Sequence, residues 1–179
     1  MEHSLHVGEE LDEETVAGLV RSDQEENAKQ KAFRFLAIRP RSTKEIRDYL
    51  SKKKFPEDII EAIVAKLESL NMLDDRSFAR MLCRDIVARN PAGEKLLRQQ
   101  LFKKGVPKEI AESVLAELAT PEVELMMALK AAERQCVRVG RSAKRLDDVQ
   151  YRRKILDYLV RRGFDFETAV SATKQLLTR

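Results

Sequence analysis

The feature that most constrains this chain is that it repeats itself. Displaced by 51 residues, the sequence places Pro40 on Pro91, Ile46 on Leu97, Leu50 on Leu101, Lys53 on Lys104, Phe55 on Val106, Pro56 on Pro107, Ile59 on Ile110, Ile63 on Val114 and Leu67 on Leu118. A further displacement of 58 residues sets Ile155 on Leu97, Leu159 on Leu101, Gly163 on Gly105, Phe164 on Val106 and Leu176 on Leu118. Apolar matches spaced by four residues mark one face of a helix, so the chain reads as three copies of one helical unit.

Each copy divides into three helices. In the first, "NAKQKAFRFLAI" is stopped by Pro40, Ser42 caps "TKEIRDYLSKK", and "PEDIIEAIVAKLESL" follows. In the second, "DRSFARMLCRDIVAR" starts after Asp74 as N-cap, with Asp75 adding charge that suits the helix dipole. "NPAG" breaks the chain, and "EKLLRQQLFKK" and "PKEIAESVLAEL" complete the unit. The third begins at Pro121 with "EVELMMALKAAERQCVRV", crosses a longer basic loop "GRSAKRL", and resumes as "DDVQYRRKILDYLVRR" and "FETAVSATKQLL". The expected fold is all-α: three tandem three-helix repeats, 28–73, 74–120 and 121–179, in an elongated, curved array. A unit of about 45 residues has little core of its own, so neighbouring units are expected to share buried surface. Met72, Met81, Met126 and Met127 fall on apolar positions and are read as core filler.

Composition supports helices over sheet, with 36% charged residues, 6% aromatics and no Trp. No apolar run approaches the roughly 20 residues a membrane span needs, and the N-terminus lacks a basic and an apolar signal region. A cytoplasmic protein without membrane contact is expected. Cys83 and Cys136 stand far apart without a second Cys or a His beside them, so reduced packed thiols are expected. His3 and His6 alone do not make a metal site. The six glycines form no phosphate-binding loop, the body carries no His for general base chemistry, and Asp74-Asp75 and Asp147-Asp148 sit where caps belong. Neither an enzyme nor a cofactor is expected.

Charge is unevenly divided. Residues 1–27 hold nine acids against the single base Arg21, whereas the rest of the chain carries 33 bases against 21 acids. An acidic, flexible extension on a basic body points to a partner of negative charge, with the extension as a competitor for the basic surface or as an inert leader. Some cations have a local explanation. Lys52, Lys53, Lys103, Lys104, Arg161 and Arg162 occupy the last turn of each second helix, where they complement the dipole; Gly105 and Gly163 then supply a left-handed stop, and Pro56 and Pro107 fit the first turn of the next helix. Lys54 departs from this pattern, because a non-glycine there requires either strain or a different turn.

Other cations lack that explanation. Arg134, Arg138 and Arg141 follow at spacings of four and three and so align along one face into the basic loop, with Lys144 and Arg145 after them. Arg152, Arg153 and Lys154 lie near the start of a helix, where the dipole disfavours cations. These eight residues are the first candidates for a phosphate or acidic-protein surface. Arg80, Arg84, Lys95 and Arg98, with Lys103 and Lys104, form a weaker set.

The stretches "LAIRPRSTKEIRDYL", "LNMLDDRSFAR", "LLRQQLFKKGVPKEI" and "KILDYLVRRGF", in that order, resemble the RecX regulatory proteins over about residues 28–179. The family's LDD-x-x-FA segment maps on Leu73, Asp74, Asp75, Phe78 and Ala79, and its KG turn on Lys104 and Gly105. One departure is "GEKLLRQQL", where the family often carries arginines and this chain offers Glu94, Lys95 and Arg98; another is the acidic segment 1–27. The resemblance implies a bacterial regulator of the RecA recombinase that binds RecA filaments on single-stranded DNA and inhibits ATP hydrolysis, strand exchange and coprotease activity. The implied partners are the RecA filament and single-stranded DNA, with double-stranded DNA as a further candidate, and the chain is expected to be a monomer. Two other readings stand beside it: a sequence-independent DNA-binding module, and a helical-repeat scaffold that binds only proteins.

Overall fold

The structure is a computed structural model and describes residues 12–140 and 148–178. Every regular element among the described residues is an α-helix, and the helices divide into two compact units that meet between Leu73 and Asp74. The first unit contains α1 (Glu13–Ile38), α2 (Thr43–Lys52) and α3 (Glu57–Ser69). The second contains α4 (Asp75–Arg89), α5 (Glu94–Lys103), α6 (Lys108–Leu118), α7 (Pro121–Gly140), α8 (Asp148–Arg161) and α9 (Phe166–Leu177). Three three-helix repeats result, of which the second and third are packed into one body.

Local sequence explains the helix starts. Ser42 and Glu45 form a reciprocal capping box, with Glu45 N–H donating to Ser42 Oγ at 3.2 Å and Ser42 N–H to Glu45 Oε2 at 3.4 Å. Asp74 Oδ1 accepts from the amides of Arg76 at 2.9 Å and Ser77 at 3.2 Å, and Asp165 accepts from Thr168 at 2.9 Å. Such caps are worth about 1 kcal/mol each. Pro56 and Pro107 sit one residue earlier than expected, as the N-caps of α3 and α6, where their carbonyls accept the first helical bonds from Ile60 and Ala111.

The second helices end identically. After Lys53, Lys104 and Arg162 the next residue turns left-handed, with φ 66° at Lys54, 71° at Gly105 and 87° at Gly163. The following amide then reaches back to the helix: Phe55 to Leu50 O (3.4 Å), Val106 to Leu101 O (3.1 Å) and Phe164 to Leu159 O (3.3 Å). These bonds satisfy otherwise orphaned carbonyls, and each pairs a buried Leu with an apolar residue that seals the turn. Of the two outcomes open for Lys54, the strained one is realised: the same turn is made with a side chain present, at a cost of about 1 kcal/mol.

First helices carry small residues where they meet their partners. Ala28 and Ala32 in α1, Ala79 and Cys83 in α4, and Ala128 and Ala132 in α7 are all buried at the same four-residue spacing. The shift from Ala79 to Ala128 is 49 residues, whereas the second helices are related by 58, so the third repeat carries nine extra residues between its first and second helices. Around these alanines pack Ile46, Leu50 and Ile59 to Leu67 in the first repeat, Leu97, Leu101 and Val114 in the second, and Ile155, Leu159 and Phe164 in the third. Fully burying a Leu or Ile contributes about 1.5–3 kcal/mol, which makes these stripes the main source of stability.

Two expectations change. Helix α1 runs unbroken through position 27 and starts at Glu13, so the second half of the acidic segment is helical. Asp12 caps it, good helix formers fill it, and no proline intervenes before Pro40. Arg21 ties it to the start of α3 through Asp58 at 2.6 Å. Met72 and Met126 are exposed rather than core filler: Met72 lies in the turn after Asn71 (φ 54°), and Met126 faces away from the buried positions 124, 128, 131 and 132 of α7.

Candidate anion-binding surface of the third repeat

Helices α7 and α8 of the third repeat enclose a cleft of about 490 Å³ lined by Gln135, Arg138, Val139, Lys154, Tyr158 and Arg161. Spacing explains the convergence, because Lys154, Tyr158 and Arg161 fall at i, i+4 and i+7 on one face of α8, opposite Gln135, Arg138 and Val139 of α7. Arg138, Lys154 and Arg161 are exposed. Tyr158 is held in the wall by Asn90, whose Nδ2 donates to the phenol oxygen at 3.1 Å. Arg134 lies one turn before Arg138 and donates to the Arg89 carbonyl at 3.4 Å, which fixes it at the edge of the second repeat.

The end of α8 is bound to the second repeat through backbone. Arg162 Nε donates to Pro91 O at 2.9 Å and Nη2 to Asn90 O at 2.7 Å. Gly93 N–H donates to Arg162 O at 3.0 Å and Lys95 N–H to Gly163 O at 3.1 Å. A side chain on Gly93 would collide with Phe164 N at 2.4 Å. Gly93 occupies the N-cap that Ser42 fills in the first repeat, and having no side chain it leaves α5 uncapped. Glu124 of α7 takes over, accepting from Glu94 N–H at 2.5 Å. Glu124 is buried, and desolvation, with the nearby Glu94 and Asp165 carboxylates, pushes its carboxyl above the ordinary glutamate range.

The other predicted site residues are distributed differently. Arg152 and Arg153 lie apart from Lys154, lining a second groove with Leu156 and Val170, so the run "RRK" is split across two faces of α8. In the second repeat Arg98 is clasped to Glu112, with Nε and Nη2 each 2.9 Å from a carboxylate oxygen, and also to Glu94. Arg80 is held by Glu117 at 2.8 Å, and Arg76 shares that carboxylate. Arg84 is exposed beside Arg80 and Asp85 in a shallow depression. Lys95 and Lys103 are exposed, and Lys104 is the half-buried C-cap of α5. Arg141, Lys144 and Arg145 lie outside the described residues.

The LDD-x-x-FA residues are structural. Leu73 is buried in the core of the first unit, Asp74 caps α4, Asp75 starts it, and Phe78 and Ala79 are buried in the second unit. Hydrogen bonds from the Ser77 hydroxyl and amide hold the Asp74 carboxyl below its usual range. Cys83 and Cys136 are free thiols, and burial pushes Cys83 up to about 11, so it stays protonated and unreactive at neutral pH. Sequence reasoning missed Tyr158, Asn90, Gly93 and Glu124. A signal existed for Gly93, since glycine standing where the first repeat has a capping serine marks a close backbone approach.

The fold and surface define a tandem three-helix-repeat protein with a cationic face on its third repeat. Family models described as the first, second and third three-helix domains of RecX match residues 28–67, 74–115 and 127–172. The chain belongs to the RecX family. It is 36% identical over 148 residues to "Regulatory protein RecX" of Prosthecochloris aestuarii, covering 83% of this chain and 92% of that one. It is 29% identical over 178 residues to the protein of the same name from Listeria innocua, covering 97% of this chain and 64% of that longer relative. The latter alignment therefore extends into the acidic segment. Among solved structures, "Crystal structure of regulatory protein RecX" superposes with a TM-score of 0.78 at 25% identity, over 98% of this chain and 82% of that one. RecX from Lactobacillus salivarius, at 24% identity, shares the fold with a TM-score of 0.78 over 88% of this chain and 99% of that one. No helix among the described residues is long and apolar enough to cross a membrane.

Proposed function

We propose that this chain binds RecA filaments on single-stranded DNA and inhibits their ATP hydrolysis, strand exchange and coprotease activity, as a cytoplasmic regulator of DNA repair, recombination and the SOS response. Family membership supports the partner. One structural observation supports the contact surface. Arg138, Lys154 and Arg161 are exposed and take part in none of the ion pairs seen between described residues. Arg47, Arg76, Arg80 and Arg98 of the first two repeats are each paired with a glutamate, which supports reading the unpaired trio of the third repeat as the surface left for a partner.

In this reading Arg138, Lys154 and Arg161 contact phosphate or acidic protein groups of the filament non-covalently, with Arg134 one turn before Arg138 as a further contact. Arg141, Lys144 and Arg145, which follow α7 in sequence, remain candidates for the same role. Phosphate contacts of this kind position a protein without reading sequence and weaken as salt rises. Several weak contacts along a filament add by multivalency, which lets a modest surface prefer filament over bare DNA.

The test is a titration into RecA ATPase assays stimulated by single-stranded DNA, paired with binding to bare DNA at increasing salt. Inhibition at concentrations that leave bare DNA unbound is expected. Unchanged ATPase together with tight, salt-sensitive binding to bare DNA would instead establish a free-standing DNA-binding module.

A further inference from the structure

The three repeats differ on the outer face shared by their second and third helices. In the first repeat Arg47 of α2 clasps Glu61 of α3, with Nε 2.6 Å and Nη2 2.8 Å from the two carboxylate oxygens. The second repeat carries the same clasp at the same register, Arg98 with Glu112. In the third repeat the corresponding residues are Leu156 and Val170. The exchange extends beyond that pair. Positions Ser51, Glu57 and Glu68 of the first repeat correspond to Val160, Phe166 and Leu177 of the third, so five polar residues have become five apolar ones.

The result is an open groove of about 400 Å³ lined by Leu156, Val170, Leu177 and Thr173, with Arg152, Arg153 and Lys174 among its walls and no carboxylate in the lining. Val160 and Phe166 extend the apolar strip by one turn on each helix, and Phe166 is 65% exposed. Apolar side chains in contiguous, solvent-facing arrangement are unfavourable unless something covers them. In the other two repeats the positions of Leu156 and Val170 are bridged by an Arg–Glu ion pair instead.

We propose that this groove is a docking site for an acidic amphipathic helix of a protein partner. A helix with apolar residues at i, i+4 and i+7 fits a groove between two helices, and its flanking carboxylates meet Arg152, Arg153 and Lys174. The site is distinct from the α7–α8 cleft, because Arg152 and Arg153 lie on the other face of α8 from Lys154. It stands independently of the filament reading.

The experiment uses the full chain and a fluorescein-labelled 14-residue helical peptide with leucines at i, i+4, i+7 and i+11 and glutamates on its flanks. A matched peptide with lysines in place of the glutamates, and vesicles of phosphatidylserine and phosphatidylcholine, are measured alongside. The acidic peptide is expected to bind, and the lysine peptide at least tenfold more weakly. The double variant Leu156→Arg/Val170→Glu rebuilds the clasp of the other repeats; it is expected to melt at the wild-type temperature and lose at least tenfold in peptide affinity. Arg138→Glu, in the neighbouring cleft, should leave peptide binding unchanged. Equal binding of both peptides, full binding by the clasped variant, vesicle binding abolished by that variant, or a dimer in sedimentation that it dissolves would each overturn the proposal. Should the double variant not fold, Arg152→Glu/Arg153→Glu, at exposed positions, must by itself reverse the peptide preference.

Discussion

Gly163 meets the backbone of Leu96 so closely that a Cβ added to it would lie 2.3 Å from the Leu96 nitrogen and 2.5 Å from its Cβ. The same glycine turns left-handed at φ 87°. Two independent requirements therefore fall on one residue: the stop of α8 and the contact between the second and third repeats. Gly163→Ala is expected to destabilise the second unit by about 3 kcal/mol or more, against about 1–2 kcal/mol for Gly105→Ala from its left-handed backbone alone. Urea denaturation of the two variants checks this, and equal losses would show that the close approach relaxes without cost.

Lys54 makes the same turn without the freedom of glycine. Lys54→Gly is expected to stabilise the first unit by about 0.5–1 kcal/mol, since relief of the left-handed strain outweighs the entropy glycine adds to the unfolded chain. Thermal melts followed by circular dichroism suffice. A fall in melting temperature would mean that the lysine is compensated elsewhere.

Glu124 links pH to stability. Its carboxyl is raised above the unfolded value by burial, so the folded state binds the proton more tightly. That contribution is fully present below the unfolded glutamate pKa and is lost as pH rises through the higher folded value. Glu124→Gln keeps an oxygen to accept from the Glu94 amide but does not titrate. Its stability relative to wild type should rise from about pH 4 to neutrality, measured by denaturation at a series of pH values. A difference independent of pH would exclude the ionised, buried carboxylate as its cause.

The cleft makes a prediction in salt dependence. If Arg138, Lys154 and Arg161 each neutralise a phosphate, the variant with all three changed to Ala should bind filaments more weakly and reduce the slope of log affinity against log salt by about 2. Its helicity should be unchanged, because all three are exposed and none forms an ion pair with a described residue. Normal inhibition of RecA ATPase by this variant would remove the cleft from the proposed interface.

What could be read from residues alone was what neighbours in sequence decide. The three copies, the nine helices of the described residues, the caps at Ser42 and Asp74 and the left-handed stops at Gly105 and Gly163 depend on contacts within a few residues. Such signals are complete in a short window. The assignment of Arg162 to helix punctuation was incomplete for the same reason: its guanidinium binds the Asn90 and Pro91 carbonyls some 70 residues away.

The sequence by itself determined that this is an all-helical, three-repeat protein, that it resembles RecX, and where its cations are. The tertiary structure decided which of those cations are available. Arg80 and Arg98 meet carboxylates brought to them by another helix, while Arg138, Lys154 and Arg161 line one cleft between α7 and α8 with no ion pair to a described residue. It also decided that "RRK" serves two faces and that Glu124 caps a helix 30 residues before it in the chain. Charge and spacing belong to the sequence, but neutralisation depends on what packing places within about 4 Å, and that distance is set by the fold.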